Sequence, residues 1–420
     1  MKQEVRVNNT SRFFGYFFKF SSINIIIALT SAATNLFFAK FLAPQIFTDY
    51  FGTISVVLIL SNLLPLGLIG AITIFKAHLT ELQHDSLLKF TLFLTCTLGL
   101  LALTLYSGWH NFSYTKTLRF LPVISYTVFY CCILALNTYF QVSDQFRRSI
   151  ILTVLSQSLL LVMLGLWYYL ALTLTYYFLI ASVALLLAIL ISVGRKNWLA
   201  LRSSPMFPSE ILRILHYAVP SGVQSSIVSF VLVGDRILAD NYYTKIDALV
   251  YLEAALAASY ILFIINNYAN AVGIFFVDQR INMKDSEYFD FFKTGSSKTA
   301  YMVLLFIPYI PITLLFSWIL DVDRIWEFLA ICNILTIAYC VNGATKFYLG
   351  ALGILEKSGV VLFTVIATLC TLLVVFFLTK NLGIYSLALA VLIANLTFFC
   401  GIRIFAHFYM SQLVLANGCK

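Results

Sequence analysis

Apolar runs of roughly 20 residues follow one another along the whole chain, separated by short polar or charged connections. Within each run the residues are apolar on all sides, with no alternation of apolar and polar positions. A helix of about 20 such residues crosses the ~30 Å hydrocarbon core of a bilayer, whereas a barrel strand would alternate. The pattern predicts twelve spanning helices over 20–42, 51–75, 87–106, 120–140, 150–170, 172–193, 214–239, 248–277, 299–319, 325–349, 360–378 and 384–408. The fold class is therefore an all-α polytopic membrane protein. Its backbone polar groups are satisfied inside each helix because lipid offers no partner.

The first hairpin has an internal echo. A hydrophobic helix ends in Ala39-Lys40-Phe41-Leu42-Ala43, a polar break follows over 44–50, and Gly52 lies near the start of the next helix. Asp235-Arg236-Ile237-Leu238-Ala239 repeats the first of these strings 196 residues later, and His216-Tyr217 repeats Lys19-Phe20 at 197. A near-constant shift across a helix points to an internal duplication. It divides the chain into a six-helix lobe over 1–193, a cytoplasmic linker over 194–213 and a second six-helix lobe over 214–420. Even-numbered halves share one orientation, so the expected relation is a pseudo-twofold axis along the membrane normal.

Composition agrees with the pattern. The 420 residues are 61% hydrophobic and 11% charged, against about 25% charged in a soluble protein. Mean hydropathy is +0.92. The formal charge of +9 is distributed by side: with the N-terminus inside, 20 Lys and Arg residues fall in inner connections and 7 in outer ones. That bias predicts both termini on the cytoplasmic side. The basic excess is thus a topology signal and not a nucleic-acid footprint. Two inner connections are longer. The one over 194–213 carries Arg195, Lys196, Trp198 and Arg202 and reads as a surface-lying segment; that over 278–298 is expected to hold an interfacial helix.

No enzyme motif stands out. HExxH, the phosphate loop and the nucleophile elbow are absent, and five scattered histidines and eight cysteines show no metal-ligand spacing. No cofactor and no metal are expected. Ionisable groups in spans are functional candidates by default. Lys40 and Arg236 lie at the outer ends of the first and seventh spans and Lys346 toward the inner end of the tenth; bent or tilted helices would aim them into a central cavity. Asp235 and Glu253 are the candidate carboxylates for a coupling ion. Asn266, Asn267 and Asn270 form the densest amide cluster and are candidates for a hydrophilic path. Snorkelling to headgroups and helix–helix hydrogen bonding are the structural alternatives for these cations and amides.

The first hairpin resembles the polysaccharide transporter family, specifically O-antigen flippases. The carriers are Phe37-Phe38-Ala39-Lys40-Phe41-Leu42-Ala43-Pro44, then Thr48-Asp49-Tyr50-Phe51-Gly52, then Asn62-Leu63-Leu64-Pro65-Leu66-Gly67-Leu68. In the second half Tyr217-Ala218-Val219-Pro220 and Gly234-Asp235-Arg236-Ile237-Leu238-Ala239 fit as well. Phe51 intervenes in the family's Tyr-Gly pair, and Leu249-Val250-Tyr251 replaces a Gly-x-Tyr opening. The wider superfamily includes lipid II flippases and multidrug and toxin extruders. The resemblance implies alternating-access transfer of undecaprenyl-diphosphate-linked oligosaccharide across a bacterial inner membrane, with membrane lipids and polysaccharide-assembly proteins as partners. Lys40, Arg236 and Lys346 would then meet the diphosphate. A multidrug or small-cation extruder is the alternative on the same fold, and an O-antigen polymerase is the alternative enzyme; the short outer loops argue against the latter.

Overall fold

The computed structural model describes residues 25–109, 114–143, 145–208, 210–282, 285–355 and 357–418. These residues form helices joined by short turns, with no strand among them. The helices are α1 (Ile25–Phe41), α2 (Pro44–Leu63), α3 (Leu68–Ile74), α4 (Glu81–Trp109), α5 (Tyr114–Val142), α6 (Phe146–Tyr169), α7 (Leu174–Ser203) and α8 (Ile211–Tyr242). There follow α9 (Lys245–Ser259), α10 (Ile261–Asn282), α11 (Asp285–Ser296), α12 (Ala300–Val303), α13 (Phe306–Leu320), α14 (Ile325–Ile354), α15 (Ser358–Thr379) and α16 (Tyr385–Gly418). Among the described residues, 11 helical segments are long and apolar enough to cross a membrane, and the described part of α1 is a shorter apolar helix. The chain is an all-α, multi-pass membrane protein, as the apolar runs predict.

Four boundaries differ from the hydrophobic pattern, one of them within the ninth run, which is two helices, α12 and α13, parted at Leu304–Leu305. The polar stretch 44–50 is not a break but the first two turns of α2, entered at Pro44, whose fixed φ suits the first helical position. The chain breaks before it, at 42–43, and a further interruption comes at Leu64–Gly67, so that the second apolar run is two helices, α2 and α3. The eighth run is likewise two helices, α9 and α10, meeting at Tyr260. Hydropathy cannot register such interruptions because the residues that make them are themselves apolar.

By internal contacts the chain forms two compact units. One comprises Leu29–Phe38 and Gln45–Ser229; the other contains Ala39–Pro44 and Phe230–Lys420. Helices α1 and α8 each contribute residues to both.

In the first unit an aromatic stack pins the α1–α2 hairpin. Phe38 lies face to face with Tyr50, ring centroids 3.8 Å apart and 6° from parallel, and is flanked by Trp167 at 5.4 Å and Tyr177 at 5.4 Å. All four rings are buried. Each such pair adds ~0.5–1.5 kcal/mol beyond area burial. Deeper in this unit the turn after α2 meets the first part of α8 backbone to backbone. Gly67 holds φ +73°, and a β-carbon there would lie 2.1 Å from the Ala218 carbonyl oxygen and 2.6 Å from the Gly222 nitrogen. A β-carbon on Gly222 would meet Leu66 backbone at 2.4 Å. The Pro65-Leu66-Gly67 string is thus a packing device.

The second unit has an apolar core built from α8, α9, α10, α13, α14, α15 and α16. Tyr251, Phe328, Leu335, Tyr339, Leu387 and Val391 are all 0% exposed there. α14 is its central helix, buried along most of its length. α11 docks by its aromatic face, burying Tyr288 and Phe292, so the expected helix in 278–298 is present over Asp285–Ser296.

Gly222→Ala is expected to lower the thermal stability of the detergent-purified protein by about 1–3 kcal/mol, the usual penalty of overpacking. Gly70→Ala, with open space around its β-carbon position, should leave the melting temperature unchanged or raised. Equal melting curves for wild type and Gly222→Ala would refute the close approach.

Candidate functional site: a buried charged cluster in the second unit

Asp235 is the one carboxylate among the described residues that is fully buried, at 0% exposure, and its neighbour Arg236 is 4% exposed. Both lie in α8 where it enters the apolar core of the second unit. An isolated carboxylate in such a core costs several kcal/mol, so its partners decide whether the fold tolerates it. Asp235 Oδ2 accepts the Tyr251 hydroxyl at 2.7 Å, and Oδ1 accepts the Arg236 backbone N–H at 2.9 Å. The Arg236 side chain bonds Tyr339, whose hydroxyl also donates to the Leu232 carbonyl at 3.2 Å. Three helices, α8, α9 and α14, are tied together through one carboxylate and one guanidinium.

The first unit contains the same bond without the charge. Tyr50 is the seventh residue of α2 and Tyr251 the seventh of α9, 201 residues apart. Tyr50 donates to Asn35 Oδ1 of α1 at 3.3 Å, as Tyr251 donates to Asp235 of α8. Asn35 and Asp235 are 200 residues apart. The two units thus share one side-chain contact at a spacing of 200–201 residues, not 196.

That spacing corrects the pairing of Lys40 with Arg236. Lys40 is the penultimate residue of α1, and the penultimate residue of α8 is Asn241; Arg236 lies six residues before the end of α8. Lys40 is exposed and donates to the Ile319 carbonyl at 3.2 Å, while Arg236 is buried against Asp235 and Tyr339. The two cations occupy different surroundings, and the repeat supplies no reason to treat them as a pair. The string match at 196 arises because short apolar sequences recur easily in helices of this composition.

The remaining candidates scatter. Lys346 is half-buried in α14 and has no carboxylate partner among the described residues. Glu253 is half-buried in α9, and the charge it faces is that of Asp323, so it does not join Asp235. Of the amide cluster, Asn267 is buried and Asn266 exposed, so these two do not share one surface; the side chain of Asn270 lies outside the described residues. Sequence reasoning missed Tyr251 and Tyr339, because a tyrosine in a span is ordinary until its hydroxyl is seen on a carboxylate. It also missed Arg324, which bridges Asp247 at 2.5 Å and Glu327 at the α9 and α14 starts. These carboxylates, Asp247 foremost, hold the Arg324 guanidinium above its ordinary pKa. Among the described residues no group of three or more acidic, histidine or cysteine side chains could hold a metal ion.

Solved structures share this arrangement of helices. An outward-facing multidrug-resistance MATE transporter of the MOP superfamily superposes with a TM-score of 0.65 at 15% identity, covering 95% of this chain and 96% of its own. The Vibrio cholerae MATE transporter VcmN in its bent form gives 0.66 at 14% identity, covering 97% and 99%. The chain has the MATE transporter fold. A MOP-superfamily transporter from Pyrococcus furiosus, described as having a binding pocket of reverse polarity, gives 0.64 at 16% identity and covers 96% of each chain. No protein-family model and no curated protein matches the sequence.

Tyr251→Phe is expected to destabilise the protein by about 1.5–3 kcal/mol, the worth of a hydrogen bond to a charged group; Tyr50→Phe should cost about 0.5–1.5 kcal/mol. Thermal unfolding of the two variants side by side measures the difference. A Tyr251→Phe loss no larger than that of Tyr50→Phe would show that Asp235 does not depend on the tyrosine.

Proposed function

We propose that this protein is a flippase that moves an undecaprenyl-diphosphate-linked oligosaccharide across the bacterial inner membrane. Its two lobes, over 1–193 and 214–420 with the linker over 194–213 and both termini in the cytoplasm, would alternate access by rocking. The observation that carries the polarity of the substrate is Lys346. Asp235, the one fully buried carboxylate among the described residues, is offset by Arg236, whereas Lys346 on α14 is half-buried and has no carboxylate partner among the described residues. A half-buried lysine so placed favours an anionic ligand. A diphosphate and its sugar hydroxyls cannot cross hydrocarbon unaided, and a lysine meets phosphate by charge-assisted hydrogen bonds. The hairpin strings that resemble O-antigen flippases support the same reading. Lys346 is the leading contact; Lys40, Arg236 and the amides Asn266, Asn267 and Asn270 are the further proposed ones. Asp235 and Glu253 are the proposed coupling groups, Asp235 first because its charge is held inside the core.

The multidrug extruder is the second reading, favoured by the solved structures of the same fold that are MATE transporters. It would use Asp235 against a cationic substrate, with Lys346 as a hindrance.

Lys346→Ala is expected to lower cell-surface polysaccharide at least about tenfold at normal protein level, and Lys346→Arg to retain it, from the ~1.5–3 kcal/mol of a charge-assisted bond. Surface polysaccharide at wild-type level in Lys346→Ala, together with loss of cationic-dye efflux in Asp235→Asn, would replace the flippase reading with the extruder.

A further inference from the structure

α7 does not end where its apolar run ends. It turns at Gly194, which adopts φ 70° and ψ 152°, and continues helically to Ser203. Positive φ is available to glycine at little cost, and it redirects the chain. Among the described residues, Leu201 in this helix and Ser204 and Pro208 just after it are buried, and Lys89 on α4 donates to the Ser204 carbonyl at 2.9 Å. Trp198 in the helix is 41% exposed and Arg202 is exposed as well; beyond the helix, Phe207 is 58% exposed with its ring packed on Phe90 at 5.5 Å, and Leu212 at the start of α8 is 82% exposed. Arg213 is held over the Phe75 ring at 5.5 Å and pairs with Glu210 at 3.2 Å. The stretch 194–213 has four Arg and Lys residues, Arg195, Lys196, Arg202 and Arg213, against the single carboxylate of Glu210.

We propose that this connection is a docking surface for the anionic phospholipid leaflet: Trp198 and Phe207 insert at the headgroup–acyl boundary, and Arg202 engages phospholipid phosphate. Exposed aromatic rings and long apolar side chains are costly in water but are stabilised at a membrane interface, where an amphipathic helix with a cationic rim lies in the plane. The charge of the stretch complements an anionic leaflet and would be repelled by a cationic partner. Gly194 is the bend that takes the helix from crossing the bilayer to lying on it. The inference stands apart from the identity of any transported substrate.

The experiment uses the full chain in nanodiscs, with the fluorescence of Trp198 taken as the difference between wild type and Trp198→Phe. In discs containing phosphatidylglycerol this signal should be quenched by phospholipids brominated near the top of the acyl chain and shielded from aqueous acrylamide. Arg202→Gln should raise its acrylamide accessibility about fivefold, since one cation near an anionic surface is worth ~1 kcal/mol. Phosphatidylcholine discs should expose it in the same direction. Acrylamide quenching that is equal in the two lipids, or no quenching by brominated lipid in phosphatidylglycerol discs, overturns the proposal. Either result would mean that the face is bare or awaits a soluble partner.

Discussion

A carboxylate inside an apolar helix bundle must be compensated within the bundle, because neither water nor lipid can do it. Asp235 imposes that constraint on the second unit. Its oxygens are taken by the Tyr251 hydroxyl and the Arg236 backbone, and the adjoining guanidinium is taken by Tyr339. These contacts require α8, α9 and α14 to stand in one register, since a slip of one residue on any of them would leave a charge bare. The apolar packing of Phe328, Leu335 and Leu387 around the cluster then has one arrangement to fill.

The first unit solves the same joint differently. Asn35 replaces the carboxylate, so no charge has to be offset and the tyrosine bond is longer, 3.3 Å against 2.7 Å. Cohesion comes from the stack of Phe38 on Tyr50 with Trp167 and Tyr177, and from the glycine contact between Gly67 and Gly222. Two joints of the same form therefore differ in charge: one carries none, and the other holds a buried carboxylate beside a guanidinium. That asymmetry is what the proposed function uses in assigning coupling to Asp235 and the anionic contact to Lys346.

Much of the architecture was legible from residues alone. Apolar length is a local property, and twenty consecutive apolar residues cannot be satisfied in water, so the number of crossings and the all-α class follow from the run lengths. Gly194 likewise marks the point where the apolar run of α7 ends and the chain turns, at φ 70°. The candidate site was legible only in part. Asp235 and Arg236 stand out because charge in a span is expensive, while Tyr251 and Tyr339 do not, because among 24 tyrosines nothing local distinguishes the two that meet a charge.

What the sequence by itself determined is the apolar composition of each helix; what only the tertiary structure decided is which positions of the two halves make the same contact. Matching strings placed Lys40 opposite Arg236, since Ala, Leu, Ile and Phe recur in every span and a five-residue match carries little information. The contact between a tyrosine and the residue opposite it is set by three-dimensional packing, and it aligns Asn35 with Asp235 and Tyr50 with Tyr251. The same holds for the breaks at Leu64–Gly67 and Tyr260, which are made by apolar residues under the constraint of neighbouring backbones and are invisible to any scale of hydropathy.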